Sequence, residues 1–505
     1  MIVASTLELG NDEVYYYIYS LDLSTNYFDH PPGVAVLIRL FTFNNLLTHE
    51  FFVRLGAIVC AAVGTILTYQ LGKVMKNEQT GWFAAILYNS SVYASVIAGT
   101  FIVPDSPQVV LWLASLWVMY KILRQGDRQQ QVALVDWLLF GLLAGLCILC
   151  KVHGIFLWVG FGLYIIIYER RLLTSYGLYL SALLTLLVIS PIVWWNFQND
   201  FITYRYQRGR IGVEGTLFHL DYFLQILAGQ WLYNNPINTV IIIISVWKLK
   251  SMDFIDRMTA RFIVLNGLPM ILMVTGMGMV NNILPHWSGP GFLVLAFLAA
   301  AYLDEKMVRD NGRRNPLALT ISLSLTAVAL FVASSVIKYY PGTIGSKDTV
   351  QYGEGDFTLD MYGWRQLANE FKPWVEEQER KRVLSSDLKI VAYKWFPAAH
   401  IDYYLAQPLH KPLIGVGTLV ELHQFVLTNR ERPTLHKGEN ALCIVPSNYP
   451  GSMEVSYGRY FGSTEYLHKF TILRSGEVAR FFTVYLLKDY KLNDDAHSPV
   501  FESAR

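Results

Sequence analysis

From residue 51 the chain alternates between long apolar runs and short polar breaks. The runs fall at roughly 51–72, 81–99, 107–123, 132–150, 153–168, 173–195, 230–247, 262–279, 285–303 and 316–338. A helix needs about 20 mostly apolar residues to cross the hydrocarbon core, so the pattern predicts about ten spans over 51–338. Several runs contain Gly and Pro, which membrane helices tolerate. The region 222–247 is the least regular, because "QWLYNNPIN" interrupts it. Residues 33–47 are amphipathic and short, which fits a helix lying in the interface.

After residue 338 the pattern changes to mixed, polar sequence punctuated by Pro and Gly. "LKIVAYKWF", "ALCIVP" and "FFTVYLLKDY" read as strands, and "GWRQLANEFKPWVEEQERKR" reads as an amphipathic helix. The expected architecture is a multi-spanning α-helical membrane protein with a C-terminal extracytoplasmic α/β domain. Its parts are a first external loop with interfacial helices over 1–50, a helical membrane domain over 51–338, the α/β domain over 342–490, and a tail over 491–505.

Charge gives the sidedness. One alternating set of loops carries Lys73, Lys76, Lys121, Arg124, Arg128, Arg170, Arg171, Lys248, Lys250, Arg257, Arg261, Lys306, Arg309, Arg313 and Arg314, fifteen basic residues. The opposite set holds four: Lys151, Arg205, Arg208 and Arg210. The positive-inside rule makes the first set cytoplasmic. Both the opening stretch and everything after residue 338 are then extracytoplasmic. Composition agrees, at 53% hydrophobic and 16% charged, where soluble chains run near a quarter charged. A net charge of +2 carries no basic signature of a nucleic-acid binder. Four cysteines are too few for a disulfide framework, and Cys147-x-x-Cys150 inside an apolar run reads as packing. "MIVASTLELG" has no basic start or apolar core of a cleavable signal.

On the extracytoplasmic side polar residues gather at helix ends: Asp12, Glu13, Asp29, His30, Asp105, Lys151, Arg205, Arg208, Arg210 and His286. Ionisable residues at such positions point to function. Each has an ordinary reading as well. Asp105, in "VPDSPQ", suits a helix N-cap, and His286-Trp287 suits an interfacial anchor. The three arginines suit a solvated or headgroup-binding face. Asp12 and Glu13, followed by "YYYIY", suit a helix start beneath an interfacial tyrosine belt. Lys151 is hardest to explain this way, because it sits between two apolar runs with little polar loop around it. The phosphate loop G-x-x-x-x-G-K-[ST], H-E-x-x-H and G-x-S-x-G are all absent from the sequence.

"DEVYYYIYSLDLSTNYFDHPPG" resembles the first external loop of the dolichyl-phosphate-mannose–protein mannosyltransferase-like glycosyltransferases. "PDSPQVVLW", "GLCILCKVHGIF", "SPIVWWNFQNDFITYRYQ" and "HWSGPGFL" are similar to further segments of the bacterial branch, in the same order. That branch includes the lipid A aminoarabinose transferase and lipopolysaccharide-core sugar transferases. "DMYGWRQLANE" and "HIDYYL" resemble its external C-terminal domain. The resemblance implies a GT-C membrane glycosyltransferase of the bacterial inner membrane. Such an enzyme takes a sugar from a polyprenyl-phosphate carrier and passes it to lipid A, an envelope glycan or a protein. It also implies that Asp12, with Glu13 beside it, is the catalytic base, that Asp105 is the second-loop acid, and that Lys151 contacts phosphate. Family members carry a membrane helix before the D-E motif. Only about ten residues precede Asp12 here, too few to span, so either the start is truncated, the favoured expectation, or this member lacks that first helix.

The chemistry needs these residue types. A sugar on polyprenyl phosphate already carries a good leaving group. What remains is to deprotonate the acceptor hydroxyl, which one carboxylate does, and to stabilise phosphate charge, which a Lys or Arg does well at low dielectric. Direct displacement would invert the anomeric centre. Asp12 is the expected base, Lys151 and one of Arg205, Arg208 or Arg210 the phosphate ligands, and Asp29, His30, Asp105 and His286 substrate-positioning groups. No cofactor is required. Asp12, Glu13 and Asp105 could share a divalent cation, although no recognisable ligand spacing appears. A transporter or flippase is the rival reading, since intramembrane charges also mark transport paths; an assembly or export partner is the third.

Overall fold

The computed structural model describes residues 1–128, 130–211, 218–310 and 317–492, with the backbone only at 210 and 211. Arg313, Arg314, the side chain of Arg210 and the tail from 493 lie outside the described residues. The chain forms two compact units. One comprises Leu23–Phe331, with Met1; the other comprises Ile2–Asp22 together with Val332–Arg505. The segment expected as one external loop over 1–50 is therefore divided at residue 22.

Each expected apolar run carries a helix, and all but the last, Leu317–Tyr339, lie wholly in the first unit. Five, among the described residues, are long and apolar enough to cross a membrane: Glu50–Met75, Asp105–Asp127, Tyr176–Gln198, Arg257–Met277 and Leu317–Tyr339. Leu134–Cys150, Val152–Tyr168 and Pro236–Lys248 are shorter apolar helices. Where helices meet, small residues let backbones approach. A Cβ on Gly267 would stand 2.8 Å from the Gly291 carbonyl, and one on Gly291 2.6 Å from that of Gly267. The irregular "QWLYNNPIN" is a true break between Leu220–Tyr233 and Pro236–Lys248. Asn235, at φ 65°, accepts from the Ile237 amide at 3.0 Å and donates to the Ser322 carbonyl at 2.9 Å. Asn238 receives the Ser322 hydroxyl at 2.6 Å and donates to Ser90 Oγ at 3.0 Å. The Asn235 side chain thus caps the helix that follows the break, and both asparagines tie that helix to its neighbours. Pro31-Pro32 leads into a short helix, Gly33–Phe41, as the amphipathic pattern predicts.

The second unit is built on a five-stranded sheet. β1 (Lys389–Ala392), β2 (Leu413–Gly415), β3 (Ala441–Pro446), β4 (Phe461–Arg474) and β5 (Glu477–Tyr490) lie in the order β2-β1-β3-β5-β4. β1 pairs in parallel with β2 and β3, Ile390 standing opposite Leu413 and Leu442. β5 runs antiparallel to β3 and β4. The β4–β5 turn has Ser475 at φ 50° and Gly476 at φ 84°, the pair of positive values that a tight hairpin demands. Helix Trp364–Arg380 lays Phe371 and Trp374 on Phe470 of β4.

One fully buried ion pair locks this unit. Arg474 Nη2 donates to Asp356 at 3.0 Å, its Nε to the Gly342 carbonyl at 2.9 Å and its Nη1 to Thr358 at 2.7 Å. Burial alone would raise the Asp356 pKa. Hydrogen bonds from Thr358, the Ile344 amide and Thr343, with the Arg474 charge, carry it below its ordinary value. Its stabilisation is therefore present above the unfolded carboxylate pKa and lost as pH falls through the folded value. Asp356→Ala should cost about 3–5 kcal/mol, because it strands the Arg474 charge. Thermal unfolding of the solubilised protein at neutral pH checks this; a shift within that of a surface substitution would refute it.

Candidate active site

The first unit gathers its polar site where helices begin and end. Helix Leu134–Cys150 stops because Lys151 is extended, at φ −156° and ψ 134°. A 3-10 turn, Val152–Gly154, follows before Ile155–Tyr168. Asp105 opens its own helix but makes no side-chain cap there. Its carboxylate instead accepts from Lys151 Nζ at 2.7 Å and from the Tyr93 hydroxyl at 2.9 Å. Both charged side chains are buried, 3% and 4% exposed. An ammonium has three donors, and among the described residues only Asp105 takes one from Lys151. Gln108 Nε2 lies 3.5 Å from the Lys151 carbonyl, which holds the strand-like residue in place.

Histidines surround the pair. His286 lies in the turn Pro285–Ser288, edge to face with Tyr233 at 5.8 Å, and His153 packs edge to face on Trp287 at 5.3 Å. Both lie in the electrostatic field of Asp105 and Lys151, and His30 acts on His153 as well. The loop that carries Asp29 and His30 is built onto helix Ile202–Ile211. Asn26 donates to Thr203 at 3.1 Å, Thr203 donates to the Tyr27 carbonyl at 3.2 Å, and Gln207 donates to the Asp29 carbonyl at 3.2 Å. Phe28 stacks at a tilt on Tyr206 at 4.7 Å. That helix presents Arg205 and Arg208, both exposed. At the other end of the loop, a Cβ on Gly33 would stand 2.8 Å from Cys150 Cα, so the chain runs directly against the residue before Lys151. Cys147 points its Sγ at the Gln108 carbonyl, 3.7 Å away, in a packing role.

Asp12 and Glu13 belong to the second unit. Helix Asn11–Leu21 follows Gly10, and Glu13 reaches back to accept from the Gly10 amide at 2.9 Å. Glu13 is buried and serves as the helix cap, whereas Asp12 beside it is exposed. The tyrosines do not form the expected interfacial belt: Tyr15, Tyr16, Tyr17 and Tyr19 are all buried. Tyr15 packs on Trp395 at 4.7 Å and its hydroxyl accepts from the Gln424 amide at 3.1 Å. Tyr17 packs on Tyr403 at 4.8 Å. The belt reading fails because the partners that bury these rings lie in the distant C-terminal sequence.

Sequence reasoning missed Tyr93 and His153. His153 had a signal, standing two residues after Lys151; Tyr93 had none. No group of three or more His, Cys, Asp or Glu that could hold a metal occurs among the described residues.

Residues 29–195 match the family described as dolichyl-phosphate-mannose-protein mannosyltransferase. That stretch contains Asp29, His30, Asp105 and Lys151. Lipid A galacturonosyltransferase RgtD from Rhizobium johnstonii is 23% identical over 321 residues, 63% of this chain and 64% of that protein. The chain therefore spans less than two thirds of that relative's length. ArnT from Cupriavidus metallidurans in the apo state superposes with a TM-score of 0.59 at 13% identity, covering 96% of this chain and 95% of that one. The structure of the same protein bound to undecaprenyl phosphate gives 0.59 at 12% identity with equal coverage. The fold is the GT-C membrane fold with a C-terminal sheet domain, and the resemblance read from the sequence is borne out.

Proposed function

We propose that this chain, with its GT-C fold and similarity to lipid A transferases, moves a sugar from a polyprenyl-phosphate carrier to an extracytoplasmic acceptor. Lipid A, another envelope glycan or a protein would serve as acceptor. The observation that carries the reading is the buried Lys151, whose ammonium is oriented by Asp105 and keeps donors to spare. A phosphate oxygen is the natural acceptor for them. Asp105 holds the charge in place, and the hydroxyl of Tyr93 holds Asp105. Arg205 or Arg208 would supply a second phosphate contact, Arg210 remaining a candidate from the sequence. Asp29, His30 and His286 would position substrate.

Asp12 would accept the proton of the attacking hydroxyl as the oxygen bonds to C1. The C1–O bond to phosphate breaks on the opposite face, the configuration inverts, and polyprenyl phosphate leaves with the electron pair. No general acid is needed, because the phosphate is a stable anion. The reaction needs no metal in this scheme. The fifteen-to-four loop charge bias supports an extracytoplasmic second unit on a chain held in the bacterial inner membrane.

The test is transfer of radiolabelled sugar from polyprenyl phosphate by the purified protein in lipid vesicles, with envelope glycolipid extract as acceptor. Labelled product should form, and should persist with a chelator present. Movement of the intact lipid-linked sugar across the bilayer, with no product, would establish the flippase reading instead.

A further inference from the structure

Ile2–Asp22 folds with the C-terminal residues as one unit, and residues on both sides of Asp12 bond to them. Glu8 accepts from the Trp364 and Arg365 amides at 2.8 and 3.1 Å, at the start of helix Trp364–Arg380. The Leu9 amide donates to the Tyr404 hydroxyl at 2.9 Å. Asn11 Oδ1 lies 2.9 Å from His400 Nε2, and its amide nitrogen lies 3.5 Å from the Tyr449 hydroxyl, which donates to Asp360. His400 stacks flat on Trp364, centroids 4.3 Å apart and planes 3° apart, with the Arg480 guanidinium over the Trp364 and Phe482 rings. Farther along the helix, the Tyr17 hydroxyl donates to Gln407 at 3.2 Å.

We propose that the C-terminal sheet domain is a presentation platform for Asp12, and that Asn11 and His400 are positioning residues for the transfer step. The proposal rests on the reading of Asp12 as base. Residues 8, 9 and 11 are each fixed by a group of the C-terminal fold, so the first helical turn has one permitted orientation. The Asn11 side chain can accept from His400 only if the imidazole keeps its Nε2 proton. Burial, with the Arg480 charge, favours the neutral ring, whose single N–H would then stand on Nε2, facing Asn11. The domain thereby acts in catalysis without touching a reacting atom.

Misplacement of a catalytic group by about 1 Å costs about 10²-fold. Asn11→Ala and His400→Leu should therefore each lower kcat by about that factor, with KM changed less than about twofold. His400→Gln, whose amide can donate to Asn11, should restore most of kcat. Hydrogen exchange over residues 8–22 should rise in the first two variants and return toward wild type in the third. Wild-type kcat in Asn11→Ala, with Asp12→Asn inactive, would overturn the platform proposal alone. Full activity of Asp12→Asn would overturn the reading beneath it. Should His400→Leu fail to fold, Asn11→Ala and His400→Gln still decide the matter.

Discussion

Asp12→Asn should lower sugar transfer by about 10²–10⁴-fold, the usual worth of a general base, while leaving membrane insertion and thermal unfolding unchanged. The side chain is exposed on the first turn of its helix, and the amide is nearly isosteric with the carboxylate it replaces. The neighbouring carboxylate provides the control. Glu13→Gln keeps an oxygen able to accept from the Gly10 amide, so it should keep most transfer activity and cost no more than a typical cap change of about 1 kcal/mol. The sequence motif offers both acids for the chemistry; the structure separates them, one capping and one exposed. Initial-rate measurements on matched preparations of the two variants check the assignment. An active Asp12→Asn beside an inactive Glu13→Gln would reverse it.

The helices of the first unit were legible because the apolar runs are long, lightly charged and regularly separated by polar breaks, and Pro31, Pro32 and "NNPIN" mark turns in the chain. In the second unit β1 and β3 announce themselves by runs of buried, mostly aliphatic residues, and β5 by buried positions that alternate with half-buried ones along much of its length. β4 does not, because residues 462–466 face solvent at the sheet edge and read as polar loop. β2 is only three residues long, too short for a pattern. The tyrosine helix misled for a different reason. A helix buried on all sides carries no amphipathic period, and tyrosine suits a membrane interface and a protein core alike. What covers Tyr15 and Tyr17 is decided by Trp395, Tyr403 and Gln424, which no local rule connects to them. In the site, Lys151 was conspicuous because a charge among apolar runs demands a partner. That the partner would be Asp105 rather than a lipid phosphate depends on helix packing alone. Asp105 next to Pro104 matched the cap pattern equally well, yet its helix has no side-chain cap bond and its carboxylate accepts from Lys151 and Tyr93.

Lys151→Met should abolish measurable transfer and also destabilise the protein, and the two effects can be separated. Removing the ammonium strands the Asp105 carboxylate, 3% exposed, which keeps the Tyr93 hydroxyl as its one hydrogen-bond donor among the described residues. Stranding one member of a buried pair costs about 3–5 kcal/mol. The double variant Lys151→Met/Asp105→Asn removes both charges, and the amide oxygen it puts at position 105 can still accept from Tyr93. It should recover most of the lost stability, since exchanging a buried pair for neutral groups is often neutral or better. If Lys151 serves only to satisfy Asp105, the double variant should recover activity along with its thermal stability. If the ammonium binds the donor phosphate, the double variant should be stable and still at least about 10²-fold impaired, the scale of losing one preorganised donor. Lys151→Arg sharpens the distinction: its charge remains, but the planar fork cannot occupy the same point beside Asp105. A donor-affinity loss larger than the stability loss is expected there. Full transfer by the stable double variant would remove Lys151 from the mechanism.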